Sequence, residues 1–146
     1  MVKQKDPIQY FYPYKSFSFV NRSAFKWFIE LLVKKEGYQL DELRFIFCSD
    51  QELLKINKQY LQHHYFTDII TFPLSEKGAP LNGEMYISID RIKQNAKTLK
   101  VSFCEELHRV MIHGVLHLCG YKDKSSQEIK KMREREDHYL RLYFRR

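Results

Sequence analysis

Apolar residues recur along this chain in two rhythms, one of period two and one near 3.6, and the switches between them divide it into elements. From 8 to 20, aromatic and polar residues alternate around Pro13, which predicts a short strand, a turn and a second strand. Ser23 is placed to cap a helix whose Phe25, Phe28, Ile29, Leu32 and Val33 keep helical spacing until Gly37 stops it. Residues 43–48 end in the apolar run Phe45, Ile46, Phe47 and predict a strand. Ser49 and Asp50 then open a helix carrying Leu53, Leu54, Asn57 and Tyr60. The β-branched stretch DIITFP at 68–73 predicts another strand. A loop with Gly78, Pro80 and Gly83 leads to a strand at 84–89. Helices are expected over 91–100, over 103–118 with apolar positions 103, 107, 110, 111, 115 and 118, and from about 126 to 144. Strands interleaved with helices place the chain in the mixed α and β class, with one sheet covered by helices.

Composition narrows the picture. A length of 146 residues predicts one domain spanning 1–146, and 44% hydrophobic with 29% charged residues is a globular balance that excludes a disordered chain. A net charge of +7 and a pI near 9.3 favour an acidic partner such as nucleic acid. Cys48, Cys104 and Cys119 form neither an even set nor a C-x-x-C pair, so a reducing compartment is expected. The start MVKQKDPIQYFYPYKS carries charges and prolines where a signal peptide needs an apolar stretch, and the apolar runs fall far short of the roughly 18 residues of a membrane span. The expectation is a soluble, cytoplasmic protein.

The chemistry concentrates in HGVLHLCGYKD at 113–123. Residues four apart on a helix differ by about 40° of rotation, so His113 and His117 project from one face and can offer two nitrogens to one Zn²⁺. Gly120 can end the helix in a left-handed conformation, and the returning chain can bring Asp123 as third ligand. Three protein ligands leave the open position of a catalytic site, and one carboxylate among them leaves the centre positive enough to bind a phosphate oxygen. Zinc peptidases that share the H-x-x-x-H spacing carry their general base directly after the first histidine. Gly114 stands there, which disfavours peptide hydrolysis. Glu105 and Glu106, two turns upstream, are expected to be solvated or ion-paired. Cys119 reads as a packed thiol, His63 and His64 as solvated loop residues, and KKMRERED at 130–137 as a solvated helix face with internal ion pairs.

These residues resemble the YbeY family of metal-dependent endoribonucleases, which mature ribosomal RNA. HGVLHLCGYKD is similar to the family signature H-G-x-L-H-L-x-G-Y-D-H. Ile56-Asn57 with Tyr60, then TDIITFP at 67–73, lie in a register like that of its T-D-V-L-S-F block. GEMYIS at 83–88 is similar to its G-D-I-x-I-S strand. The resemblance spans about 50 to 123. It implies an α+β fold in which a small mixed sheet supports helices and the metal sits in an open cleft at the end of a helix. It also implies one zinc ion per chain, cleavage of single-stranded RNA and association with the ribosome. Two positions depart from the pattern: Asp123 replaces the usual third histidine, with Lys122 before it, and Leu61 stands where the family carries an arginine facing substrate. Lys58, Arg91 and Lys122 are the candidates to supply that charge to RNA. No catalytic residue is assigned by the motif. The competing readings are a non-catalytic ribosome-assembly factor with a structural metal and a zinc peptidase.

Overall fold

The computed structural model describes residues 6–63 and 66–145. The elements run β1 (Ile8–Phe11), α1 (Arg22–Lys35), β2 (Leu40–Cys48), α2 (Asp50–Leu61), β3 (Ile69–Pro73), β4 (Leu81–Ser88), α3 (Ile89–Leu99), α4 (Phe103–Leu118) and α5 (Ser126–Phe144). The four strands form one mixed sheet in the order β1-β2-β4-β3, parallel except for the antiparallel β3–β4 edge pair. This is the α+β architecture of a small mixed sheet with helices against it.

Register determines what each face of the sheet presents. Leu43, Phe45 and Phe47 pair with Gly83, Met85 and Ile87, and Met85 pairs with Thr71, so these residues share one face. That face is buried under α1 and α4: Phe45, Phe47, Met85 and Ile87 are inaccessible, as are Phe25, Ile29 and Leu32 from α1 and Met111, Ile112 and Val115 from α4. Arg44, Glu84 and Tyr86 lie on the other face, where Arg44 Nε donates to Glu84 Oε2 at 3.1 Å and Tyr60 of α2 meets the edge of Phe72.

Three expectations were not met. Residues 12–20 form no second strand; Tyr14 N–H still donates to the Phe47 carbonyl at 2.9 Å, but the alternation there serves aromatic packing, with Phe19 stacked on Phe47 and Phe17 tilted against it. Helix α1 begins one residue ahead of Ser23, after Asn21 in the left-handed region, and lacks a side-chain cap. Strand β4 begins at Leu81, so Gly83 belongs to a strand and not to a loop. A Cβ there would stand 2.9 Å from Leu118 Cδ1 and 3.1 Å from the Phe72 carbonyl oxygen, so only glycine lets α4 settle this close.

The loop after α4 is secured from two sides. Gly120 (φ +99°) turns the chain, with Tyr121 N–H returning to the Leu116 carbonyl. Tyr38 Oη donates to the Cys119 carbonyl at 2.8 Å, and Glu36 accepts from Tyr121 Oη at 2.7 Å, from Arg135 at 2.8 Å and from Tyr139. Burial works against the Glu36 carboxylate, but these three donors outweigh it and hold its pKa below the usual range. Ser125 and Glu128 then close a capping box at the start of α5, which leaves residues 120–125 as a short, pinned arc.

Candidate metal centre

Close packing of α4 on the sheet turns its histidine face outward. Gly114 sits against the sheet, where a Cβ would meet Ile69 Cδ1 at 2.7 Å and Met85 Sδ at 2.9 Å. His113 and His117 lie about 60–100° round the helix from it, on the flank beside β3, one turn apart and with ring centroids separated by 4.5 Å. The pinned arc brings Asp123 across them: its Oδ2 lies 3.3 Å from His113 Nε2 and 3.1 Å from His117 Nε2.

The outer nitrogens of both rings are already engaged. His113 Nδ1 lies 2.6 Å from Oε2 of Glu136 on α5, and His117 Nδ1 donates to the Tyr121 carbonyl at 2.9 Å. With each Nδ1 tied to an outer partner, Nε2 is the inward atom of both rings and can ligate a metal once it gives up the proton it shares with Asp123. Two nitrogens and a carboxylate oxygen, all within 4.8 Å of one another, suit a small divalent cation, since ligands at about 2.0 Å in a tetrahedron lie about 3.3 Å apart. Burial disfavours a charged His113, yet Glu136, Asp123 and Asp68 outweigh it and raise its pKa. The site attracts positive charge.

Two clefts meet at this point. One, of about 540 Å³, runs toward α3 and α5 and is lined by Asn95, Leu99, Glu106, Arg109, Met132 and Glu136 among others. The other, of about 640 Å³, runs toward α2 and is lined by Asn57, Leu61, His63, Thr71, His117 and Lys124 among others. Asp68, Ile69, His113 and Asp123 line both, so the His–His–Asp group stands on the ridge between them.

Several residues that the motif did not single out belong to this site. Glu136 falls in KKMRERED, expected to be solvated, but is 4% exposed and also accepts from Arg109 at 3.1 Å. Its position on the stripe of Met132, Tyr139, Leu140 and Tyr143 is the sequence signal that could have revealed it. Asp68 accepts from Asn95 Nδ2 at 3.3 Å, and burial pushes its carboxyl above the ordinary range against the opposing pull of His113. Glu106 corrects a second expectation. It is neither solvated nor ion-paired: it is 4% exposed, Oε1 has no hydrogen-bond partner among the described residues, and burial followed by repulsion from Asp68 raises its pKa.

The candidate RNA cations are dispersed. Arg91 donates to Asp50 Oδ2 at 2.9 Å, and its guanidinium lies 5.2 Å from the Phe66 ring centroid; it lines neither cleft. Lys58 and Lys122 are exposed, and the lysine at the wall of the second cleft is Lys124. Leu61 lines that cleft at the end of α2. Cys119 is buried as expected, and His63 is exposed; His64 lies outside the described residues. No helix among the described residues is long and apolar enough to cross a membrane.

The chain is thus an α+β protein with a candidate metal centre of two histidines and an aspartate, from one helix and its returning loop, at the meeting of two clefts. The family model of Endoribonuclease YbeY matches residues 14–143, and the chain belongs to that family. It is 47% identical over 121 residues to the Endoribonuclease YbeY of Cytophaga hutchinsonii, covering 83% of this chain and 85% of that one. It is 44% identical over 136 residues to that of Amoebophilus asiaticus, covering 93% and 92%. The solution structure of TM1509 from Thermotoga maritima superposes with a TM-score of 0.65 at 29% identity, over 94% of this chain and 89% of that one.

Proposed function

We propose that this chain, acting over 1–146 as one domain, is a metal-dependent endoribonuclease that cleaves single-stranded ribosomal RNA in the cytoplasm, in association with the ribosome. The observation that carries the reading is the convergence of His113 Nε2, His117 Nε2 and Asp123 Oδ2 at the junction of two clefts, with both Nδ1 atoms already tied. These three residues would hold one Zn²⁺ per chain. When bound, the cation supplies a Lewis acid that polarises a phosphate oxygen and makes water acidic enough to ionise near neutral pH.

The chain's own residues do the remainder. Glu136 and the Tyr121 carbonyl keep the imidazoles oriented. Asp68, on the ridge beside His113, would take at its carboxylate the proton that the attacking water gives up. Two clefts opening in different directions let a strand pass across the ridge, while Lys58, Lys122 and Lys124 attract its backbone and Arg91, held by Asp50, adds to the field. A peptidase is disfavoured because Gly114 faces the sheet and has no side chain, so the residue after the first histidine supplies no general base.

Metal-loaded protein incubated with single-stranded RNA, duplex RNA and casein, each with a chelator control, tests the reading. Cleavage of the single strand alone, stopped by the chelator, is expected. Binding without cleavage would instead identify an assembly factor with a structural metal, and casein hydrolysis a peptidase.

A further inference from the structure

The cleft toward α3 and α5 holds a combination that neither metal binding nor phosphate attraction uses. Glu106 lies on its wall, 4% exposed, with Oε1 unpartnered. The other carboxylates are engaged: Glu136 by His113 and Arg109, Asp68 by Asn95, and Asp123 by His113 and His117. Among the cations lining this cleft, Arg109 is held by Glu136 and by Asp137 at 2.9 Å, whereas Arg133 is 58% exposed on the side-chain scale and reaches Glu136 only at 3.9 Å. The cleft thus offers one deep acceptor and one exposed planar donor between apolar walls that include Leu99, Val110 and Met132. A buried acceptor without a partner is costly, so the ligand that fits must bring donors to it.

We propose that this cleft is a guanine-binding subsite, in which the Glu106 carboxylate receives the N1–H and N2 amino donors of the base and Arg133 approaches its O6 and N7. Guanine presents two adjacent donors on its Watson–Crick edge. Adenine and cytosine place a ring acceptor beside their single amino group, which would face the carboxylate, and uracil has one donor. Unpaired RNA leaves this edge free for such readout. His113 and Asp123 line the same cleft, so a guanine seated there sets its own phosphate next to the metal group, and selection of the base positions the strand. The biological setting rests on the RNA-cleaving function proposed above; base binding itself does not.

The test is binding of guanosine, inosine, adenosine and cytidine 5′-monophosphates to the metal-loaded full chain, followed by methyl shifts of Val110 and Met132. The phosphate is common to all four, so differences report the base. Guanosine monophosphate is expected to bind about tenfold or more tighter than the adenosine and cytidine nucleotides, with inosine, which lacks the N2 amino group, between. Glu106→Gln, whose amide cannot accept both donors, is expected to bring the guanine preference to within about twofold. Arg133→Ala lies at an exposed position that folding does not need, and it should weaken the guanine nucleotide without affecting the cytidine one. Equal binding of the four nucleotides, or full guanine preference in Arg133→Ala, overturns the subsite. Selective guanine binding by a chain that cuts no RNA would refute the nuclease reading and leave the subsite standing; RNA cleavage with flat nucleotide binding would do the reverse.

Discussion

His113 and Glu136, 23 residues apart in sequence, meet at 2.6 Å between Nδ1 and Oε2 across the α4–α5 interface. The contact gives the candidate metal group a support from a second helix, and Arg109 in turn holds the carboxylate at 3.1 Å. Outer partners of ligating histidines set ring orientation and basicity. Glu136→Gln keeps the size of the side chain but removes its charge. It is expected to lower metal affinity about 10- to 100-fold, read by competition with a calibrated chelator. Unchanged affinity would show that Glu136 serves α4–α5 packing alone.

His117→Ala should abolish stoichiometric metal, since one of two converging Nε2 atoms is lost while Gly120 and the pinned arc remain. Asp123→His should retain metal, because imidazole and carboxylate both fill a ligand position. Elemental analysis of protein purified without chelator or affinity tag decides both. Full metal in the first variant, or none in a folded second, would remove these residues from the site.

The convergence of His113, His117 and Asp123 was legible because its logic is local: a helical repeat of four, a glycine that can take positive φ and a short return. Its supports were not. Glu136 reaches His113 through tertiary packing of α5, and in the sequence it hides within a charged run whose other members are mostly exposed. Glu106 sits beside the similar Glu105, and only docking of α4 against its neighbours decides which of the two is buried. The missing strand at 12–20 failed for a related reason. Aromatic alternation there is satisfied by ring contacts with Phe47 and Phe25, tilted, edge-on and stacked, which require no backbone ladder. Periodicity alone leaves Gly83 with Gly78 and Pro80 in a loop, and what requires a glycine in the strand there, Leu118, lies 35 residues away in sequence.

Gly114→Ala weighs two effects of known size. Alanine favours the helix by about 1 kcal/mol relative to glycine. The added methyl, however, would stand 2.7 Å from Ile69 Cδ1 and 2.9 Å from Met85 Sδ. Ile69 borders the clefts and can yield, but Met85 is inaccessible and has nowhere to go. Overpacking of this kind costs about 1–3 kcal/mol, so net destabilisation is expected, measured as a lower urea midpoint at unchanged slope. A stabilised variant would mean that the α4–sheet contact is looser than the structure shows.

RNA affinity should fall steeply with salt. Each phosphate contact on a single strand releases counterions worth a slope of about −0.7 in log affinity against log salt. Lys122→Glu places a negative charge directly before Asp123 and should weaken RNA binding while leaving metal content intact, since lysine is not among the ligands. Filter binding across a salt series reads both. A flat salt response would point to stacking and apolar contact, and an unaffected Lys122→Glu would move attention to Lys124 at the wall of the second cleft and to Lys58.

His108 makes the fold sensitive to mild acid. Its ring is 3% exposed and is packed by Phe19, Phe25, Tyr143 and Phe144, with Nδ1 donating to the Cys104 carbonyl at 2.7 Å and Nε2 left without a partner. Burial lowers its pKa, and the bond to Cys104 only partly opposes that. The unfolded chain takes up the proton near the ordinary histidine value of about 6.5, while the folded chain declines it until a lower pH. The contribution of neutral His108 is therefore complete above that value and is lost as pH falls toward the folded pKa. Carboxylates such as Glu36 also titrate in acid, so the comparison must be with His108→Phe, which keeps the aromatic packing and cannot bind the proton. Urea midpoints measured at a series of pH values should show wild type losing stability relative to the variant just below about pH 6.5. A constant difference between the two across that window would mean that His108 is not held neutral in the folded protein.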